Sequence, residues 1–96
     1  MLAHVDETEL VTRRSWRQRI FEAWGDRCAY CGAPAQSLDH IVPKARGGLT
    51  VARNLVPACL PCNRRKGHCE VISWWQQQPG WSIPAQARLI DWVLRS

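Results

Sequence analysis

The peptides Cys28-Ala29-Tyr30-Cys31 and Cys59-Leu60-Pro61-Cys62 form two cysteine pairs with the same internal spacing, and Leu38-Asp39-His40-Ile41-Val42-Pro43 lies between them. Two thiolates three residues apart can bind one soft cation, and a second pair completes the four sulfur ligands of tetrahedral zinc. Residues 32–58 separate the pairs, more than the roughly 15 to 20 residues of a simple zinc ribbon, so we expect folded structure between them. The alternatives are two disulfides or a redox motif, which require an oxidising compartment or a thioredoxin-like setting.

The length and the cysteine content indicate where such a chain works. With 96 residues we expect one domain whose apolar core needs a staple such as a metal ion. The first residues carry acids rather than an apolar run, and no apolar stretch approaches the length of a membrane span. We therefore expect a soluble, cytoplasmic protein with reduced thiols. Cys69 is then an odd thiol, which we expect to be buried or half-buried.

The charge predicts an anionic partner. Thirteen Lys and Arg residues against eight Asp and Glu residues give a net charge of +5, and eleven of the thirteen cations are arginine. Because the guanidinium group matches phosphate bidentately, we expect an anionic polymer as the partner, contacted mostly through its phosphates; a solvated basic face is the alternative. The candidate contacts lie near the histidine and after the second cysteine pair: Lys44, Arg46, Arg53, Arg64, Arg65 and Lys66.

Local patterns divide the chain into three parts. Residues 1–14 lack periodicity and predict an N-terminal arm. Residues 15–68 are the predicted core, in which a helix begins at Ser15 and precedes the first cysteine pair. Residues 69–96 form a C-terminal extension rich in tryptophan.

Between and after the cysteine pairs, the sequence predicts two strands and a helix. Gln36 to Val42 suits a strand that ends at Pro43, and Leu55 to Ala58 suits the returning strand. Gly47-Gly48 predicts a turn between them. Leu60 to Gly67 suits a short helix, with a proline allowed in its first turn.

The C-terminal extension contains four of the six tryptophans, namely Trp74, Trp75, Trp81 and Trp92. Pro84 favours the start of a last helix, on which one apolar face is predicted from the spacing of Ala87, Ile90, Val93 and Leu94. We expect this helix and the tryptophans to pack on the helix that begins at Ser15. An exposed aromatic that stacks on unpaired bases, or a surface for a second copy or a partner protein, is the alternative.

Five blocks of this chain, in this order, resemble the zinc-containing HNH endonucleases. They are Cys28-x-x-Cys31, Leu38-Asp39-His40-Ile41-Val42-Pro43, Gly47-Gly48, Asn54-Leu55-Val56 and Cys59-x-x-Cys62-Asn63-Arg64-Arg65-Lys66-Gly67, within roughly residues 15–68. The resemblance implies an α+β class and the ββα-metal (His-Me finger) fold, with a four-cysteine zinc site, flanking helices and one divalent cation at the scissile phosphate. Many members carry a histidine directly after the last cysteine, whereas this chain has Asn63, the His-Asn-Asn variant.

The residue types suit phosphodiester hydrolysis. The neutral imidazole of His40 can take a proton from the attacking water near pH 7. Asp39 and Asn63 offer oxygen donors, which favour Mg²⁺ or Mn²⁺ over softer metals. Hydrolysis of this kind leaves 5′-phosphate and 3′-hydroxyl ends. By resemblance, Asn54 fastens the loop that orients His40 and does not touch the metal.

Strand geometry sets one condition on this site. Successive side chains of a strand point to opposite faces, yet Asp39 and His40 are both assigned to one site. We therefore expect a bulge, a strong twist or a strand end at these two residues, and ideal flat pairing through both would count against the assignment.

Three classes of function remain open at this stage. The first is a DNA-cutting enzyme, favoured because Asp39, His40 and Asn63 occur together. The second is a catalytically silent, zinc-stapled nucleic-acid-binding or adaptor module. The third is a homing or restriction component that acts with another chain.

Overall fold

The computed structural model describes residues 15–95, so the predicted arm (1–14) and residue 96 lie outside the described part. In chain order its helices and strands are α1 over residues 15–23 of the described part, β1 (Ser37–His40), β2 (Leu55–Ala58), α2 (Leu60–Lys66), α3 (Val71–Trp75) and α4 (Ile83–Leu94). Short 3-10 turns at Lys44–Arg46 and Ala52–Asn54 lie in the loop between the strands. Within residues 15–95, no helix has the length and apolar character needed to cross a membrane.

The two strands form an antiparallel hairpin in the centre of the molecule. Ser37 pairs with Ala58 and His40 pairs with Leu55, with regular register between them. All four residues of β2 are buried, whereas β1 buries mainly Asp39. The apolar content of Leu55–Ala58 thus explains why β2 lies against the core. Both strands lie within the predicted ranges.

Helix α2 follows β2 directly and completes a ββα unit. Its N-cap is Cys59, whose sulfur accepts the backbone N–H of Cys62 at 3.4 Å, and Pro61 lies in its first turn. Gly67, at φ 50°, ends the helix in a conformation that favours glycine. With the four-cysteine cluster described below, this confirms the predicted α+β fold class.

Helix α3 was not predicted, and it places two tryptophans in the core. Glu70 caps it by accepting the backbone N–H groups of Ile72 and Ser73. Trp75 is fully buried, and its indole N–H donates to the carbonyl of Tyr30 at 2.9 Å. Because a Cβ on Gly80 would lie 2.5 Å from the same carbonyl, this segment packs closely on the first cysteine pair.

Helix α4 uses a different face from the predicted one. Leu89 is buried, whereas Ile90 is 44% exposed and Leu94 is 77% exposed. The indole N–H of Trp92 donates to the carbonyls of Ala52 and Leu55, at 3.1 and 2.9 Å. The helix is therefore oriented so that this N–H finds acceptors, and the apolar spacing alone gave the wrong face.

The C-terminal extension and α1 meet through their aromatic rings. Trp24, in the turn after α1, contacts Trp92 edge to face with ring centroids 5.7 Å apart. Ile20 of α1 is 2% exposed and belongs to the core. Gly25 and Asp26 both have positive φ, which ends the helical path before the first cysteine pair.

Candidate active site and metal centre

The four paired cysteines form one cluster. The sulfur atoms of Cys28, Cys31, Cys59 and Cys62 all lie within 4.8 Å of one another. The sulfurs of Cys31 and Cys59 are 3.6 Å apart, close to the separation of about 3.8 Å that zinc–sulfur bonds of about 2.3 Å impose in a tetrahedron. The cluster is therefore positioned to hold one metal ion.

The surroundings of the sulfurs favour a bound cation. The backbone N–H groups of Tyr30 and Cys62 point at the sulfurs of Cys28 and Cys59, each at 3.4 Å. Burial raises the pKa of Cys28 and also that of Cys62. The pKa of Cys59 is lowered instead, because hydrogen bonds from the backbone N–H of Cys62 and from the neighbouring thiols outweigh the effect of burial. Cys69 is exposed, so the expectation that it is buried or half-buried is wrong.

Asp39 is a buried carboxylate held on one of its two oxygens. It is 6% exposed, and its Oδ2 accepts the hydroxyl of Tyr30 at 2.7 Å. The ammonium of Lys66 lies 3.1 Å from the same oxygen. Burial, followed by the charge of Asp39, raises the pKa of Tyr30 well above its usual value, so this hydroxyl stays protonated and donates. The described residues place no hydrogen-bond donor on Oδ1.

Lys66 corrects one of the predicted phosphate contacts. Its side chain is fully buried, and besides Asp39 its ammonium donates to the carbonyl of His40 at 2.8 Å. A buried ammonium with two such partners cannot reach a DNA backbone without leaving them uncompensated. Lys66 is therefore part of the interior of the site.

Asn63 lies on α2, one helical turn before Lys66. Its Nδ2 donates to the hydroxyl of Ser37 at 3.0 Å, and that hydroxyl donates to the carbonyl of Ala58 at 2.9 Å. Ser37 and Asp39 share one face of β1, so α2 meets this face at two points. The amide oxygen of Asn63 is left without a donor among the described residues.

His40 is the last residue of β1, and its imidazole is half-buried. Its Nε2 lies 2.9 Å from the hydroxyl of Thr50, which leaves Nδ1 without a partner in the part of the chain that is described. Partial burial, followed by the positive charge of Lys44, lowers the pKa of His40, whereas Asp39 acts in the opposite direction. A lowered pKa keeps the ring neutral at pH 7, the form that can accept a proton.

Asn54 closes the loop that follows His40. Its Oδ1 accepts the backbone N–H of Val42 at 2.9 Å, and its Nδ2 donates to the carbonyls of Val42 and Leu49 at 3.1 and 2.8 Å. Gly48 is required in the same loop, because a Cβ there would lie 1.7 Å from the carbonyl oxygen of Val42. The buried side-chain amide of Asn54 therefore holds the two ends of this loop together.

Pairing along β1 is regular through Asp39 and His40, and the strand ends at His40. Of the three distortions predicted here, the structure has the strand end and no bulge. The two side chains have separate surroundings, with Asp39 against Tyr30 and Lys66 and His40 against Thr50.

The remaining predicted phosphate contacts lie on the surface. Four lie beside the loop or on α2 and are exposed, namely Lys44, Arg53, Arg64 and Arg65. Arg46 is also exposed, but its Nε donates to the carbonyl of His68.

Three residues that touch the candidate site were not predicted. Tyr30, Ser37 and Thr50 contact Asp39, Asn63 and His40, respectively. The position of Tyr30 inside a cysteine pair is a sequence signal for its contact with Asp39, because a tyrosine there can extend its hydroxyl to the neighbouring strand. Ser37 and Thr50 carry no comparable signal, because their partners are set by the register of the hairpin and by the loop.

These observations define a class of protein: a small α+β domain in which a ββα unit carries a four-cysteine cluster positioned for a metal ion. Comparisons with known proteins agree. Residues 28–68 match the family model described as HNH endonuclease. The CRISPR-associated endonuclease Cas9 of Corynebacterium diphtheriae is 41% identical over an alignment of 64 residues, which covers 62% of this chain and 6% of that protein.

A solved structure supports the fold over a wider range. The crystal structure of the Type II-C Cas9 enzyme from Actinomyces naeslundii matches with a TM-score of 0.60 and 23% identity, covering 97% of this chain and 16% of that one. The chain thus spans a small fraction of either relative. The match of residues 28–68 to the HNH endonuclease family model confirms the predicted resemblance.

Proposed function

We propose that this chain is a metal-dependent endonuclease that hydrolyses phosphodiester bonds of DNA. His40 is the general base, and Asp39 and Asn63 hold one Mg²⁺ or Mn²⁺ ion at the scissile phosphate. The cysteine cluster holds zinc, which stabilises the fold and takes no part in the chemistry. The products carry 5′-phosphate and 3′-hydroxyl ends.

The observation that most strongly supports the proposed cation site is the hydrogen bonding of the Asp39 and Asn63 side chains. Asp39 is held through Oδ2 and Asn63 through Nδ2, so each keeps Oδ1 without a donor from the described residues. A carboxylate and an amide oxygen are hard ligands that suit Mg²⁺, which keeps several waters and also takes phosphate oxygens. A divalent cation bound there would stabilise the charge that grows on the phosphate and on the departing oxygen.

The proposed base has the electrostatics that proton transfer near neutral pH requires. The pKa of His40 is lowered by partial burial and then by Lys44, so the imidazole is available as an acceptor. If Nε2–H donates to Thr50, the lone pair of Nδ1 is free to accept the proton of the attacking water. Asn54 holds the loop that carries Thr50 and so acts on His40 from a distance.

Exposed cations support DNA as the substrate. Lys44, Arg53, Arg64 and Arg65 are free to approach phosphates on either side of the cut. Such contacts confer affinity that falls with salt but little choice of sequence.

The test is nicking of a supercoiled plasmid by the zinc-loaded chain with Mg²⁺, with Mn²⁺ and with chelator. We expect His40→Ala to lower the rate by about 10²- to 10⁴-fold, the usual contribution of a general base. The matched control is His68→Ala, since His68 is an exposed histidine outside the site. Zinc content and the melting temperature should not differ between the proteins.

Equal nicking by the native chain and by His40→Ala would contradict the proposed base. Absence of metal-dependent nicking in the native chain, on duplex and single-stranded DNA alike, would favour the silent binding module. The ends are checked with a DNA ligase, because direct sealing of the nicks requires a 5′-phosphate beside a 3′-hydroxyl.

A further inference from the structure

Tyr30 is a buried polar residue that the proposed function does not use. It lies inside the first cysteine pair, between Cys28 and Cys31, and is 1% exposed. Its ring packs edge to face on Trp74 and Trp75, with centroids 5.2 and 5.4 Å away. A phenylalanine would make the same packing contacts. The hydroxyl therefore has a purpose beyond filling the core, and its acceptor is Oδ2 of Asp39 at 2.7 Å.

The backbone and the ring of Tyr30 are held by contacts that do not involve the hydroxyl. Its N–H points at the sulfur of Cys28 at 3.4 Å, and its carbonyl accepts the indole N–H of Trp75 at 2.9 Å. The close approach of Gly80 to the same carbonyl leaves little room for displacement. The position of the hydroxyl is thus set by the cysteine cluster and by the tryptophan core.

The second group that contacts Oδ2 of Asp39 is carried by α2, the helix that also carries Cys62. Lys66 lies four residues after Cys62 on α2, so the two side chains project from the same side of the helix. Its ammonium lies 3.1 Å from Oδ2 of Asp39. With two donors on Oδ2, rotation of the carboxylate would break both contacts, and Oδ1 stays in one orientation.

We propose that Tyr30 is a positioning residue of the hydrolytic site, which transmits the rigidity of the first cysteine pair to Asp39 and so presents Oδ1 to the catalytic divalent cation. This inference rests on the proposed function, because it takes Asp39 as a ligand of that cation. It assigns to the cysteine cluster an effect on cation binding in addition to its effect on folding. Groups that orient a metal ligand typically contribute 10- to 100-fold to metal affinity or activity.

The test is Tyr30→Phe, which removes only the hydroxyl. Binding of Mn²⁺ to the zinc-loaded protein is measured by electron paramagnetic resonance, without DNA. We expect the dissociation constant for Mn²⁺ to rise by about tenfold or more. In nicking assays, the Mg²⁺ concentration for half-maximal rate should rise by a similar factor, and the rate at saturating Mg²⁺ should recover most of the native value.

Ser82→Ala is the matched control for lost stability. The hydroxyl of Ser82 caps α4 by accepting the backbone N–H of Ala85 at 3.1 Å, and among the described residues it makes no hydrogen bond to Tyr30, Asp39 or Lys66. We expect this variant to have a lower melting temperature and to bind Mn²⁺ with the same dissociation constant as the native chain. If Tyr30→Phe also only melts earlier, with an unchanged Mn²⁺ dissociation constant, Tyr30 is merely structural and the inference is overturned.

Asp39→Asn separates this inference from the function on which it rests. Loss of Mn²⁺ binding in Asp39→Asn together with weakened binding in Tyr30→Phe supports both. Loss in Asp39→Asn with native binding in Tyr30→Phe overturns the role of Tyr30 alone. Native binding in Asp39→Asn overturns the proposed cation site, and the inference with it.

Discussion

The two sides of the proposed site are built differently, although their central residues are neighbours in the sequence. On the carboxylate side, Asp39 is buried and is held by Tyr30 and by the fully buried Lys66. On the imidazole side, His40 is half-buried and has one side-chain contact, with the exposed Thr50. The carboxylate side is part of the core, whereas the imidazole side lies at the rim of a loop.

The difference corresponds to two kinds of chemical task. A metal ligand has to stay in one place, and hydrogen bonds within the core achieve this at low cost because the packing is needed for folding as well. A general base has to exchange protons with water and to keep a pKa near neutrality. Deeper burial would lower the pKa of His40 further and would slow that exchange.

Removal of zinc should have the largest effect, because it should unfold the domain and so abolish both sides of the site. Structural zinc contributes roughly 10 to 16 kcal/mol in small zinc-finger peptides, and a typical domain is stable by only about 5 to 15 kcal/mol. We expect Cys62→Ser, or chelation of zinc, to abolish the cooperative thermal transition measured by circular dichroism. Cys69→Ser is the matched control and should melt like the native chain, because Cys69 is exposed and outside the cluster. A chelated protein with a native melting temperature would contradict the structural role of the metal.

Loss of the hydroxyl at Thr50 should have a smaller effect, confined to the imidazole side. Thr50→Val keeps the shape and removes the partner of His40 Nε2. We expect the nicking rate at saturating Mg²⁺ to fall by about threefold to tenfold, the range for one hydrogen bond that orients a reacting group. Mn²⁺ affinity and melting temperature should stay native, and Thr50→Ser should keep the rate. A changed Mn²⁺ affinity in Thr50→Val would show that the two sides are not separate.

The charge of Lys44 should have the smallest effect on the rate, which at saturating DNA is visible only in the dependence of the rate on pH. Lys44 lowers the pKa of His40, and the base acts in its neutral form, so the rate rises with pH through that pKa. Lys44→Met should raise the pKa and move the acid limb of the rate profile to higher pH. At saturating DNA the variant should be slower than the native chain at about pH 6 and equal to it at about pH 8. Lys44→Arg keeps the charge and should leave the limb in place; a limb unmoved in Lys44→Met would exclude this electrostatic effect.

Much of the ββα unit could be predicted because its signals are local. Pro43 lies in the loop after the first strand, Pro61 lies in the first turn of α2, and the spacing within each cysteine pair indicates a pair of metal ligands. Each of these depends on residues within one turn or one strand. The predicted strands and α2 therefore agree with the structure to within one or two residues at most ends.

The contacts inside the site could not be predicted, because they join distant parts of the chain. The sequence predicts Lys66 as a phosphate contact, since nothing near it in the sequence shows that Asp39 will lie beside it. The prediction of the buried face of α4 is wrong for a similar reason. The indole N–H of Trp92 donates to the carbonyls of Ala52 and Leu55, which are distant from it in the sequence. Buried polar groups hydrogen-bond with groups that are distant in the sequence, and the spacing of apolar residues does not predict those partners.

The central claim is that this domain has two separate cation sites, one of sulfur for structure and one of oxygen for hydrolysis. It is tested most directly by anomalous diffraction, at the zinc and manganese absorption edges, from crystals of the zinc-loaded chain grown with Mn²⁺. We predict a zinc peak among the sulfurs of Cys28, Cys31, Cys59 and Cys62. We predict a manganese peak within bonding distance of the Oδ1 atoms of Asp39 and Asn63. A manganese peak elsewhere, or none at those oxygens under saturating Mn²⁺, would contradict the account.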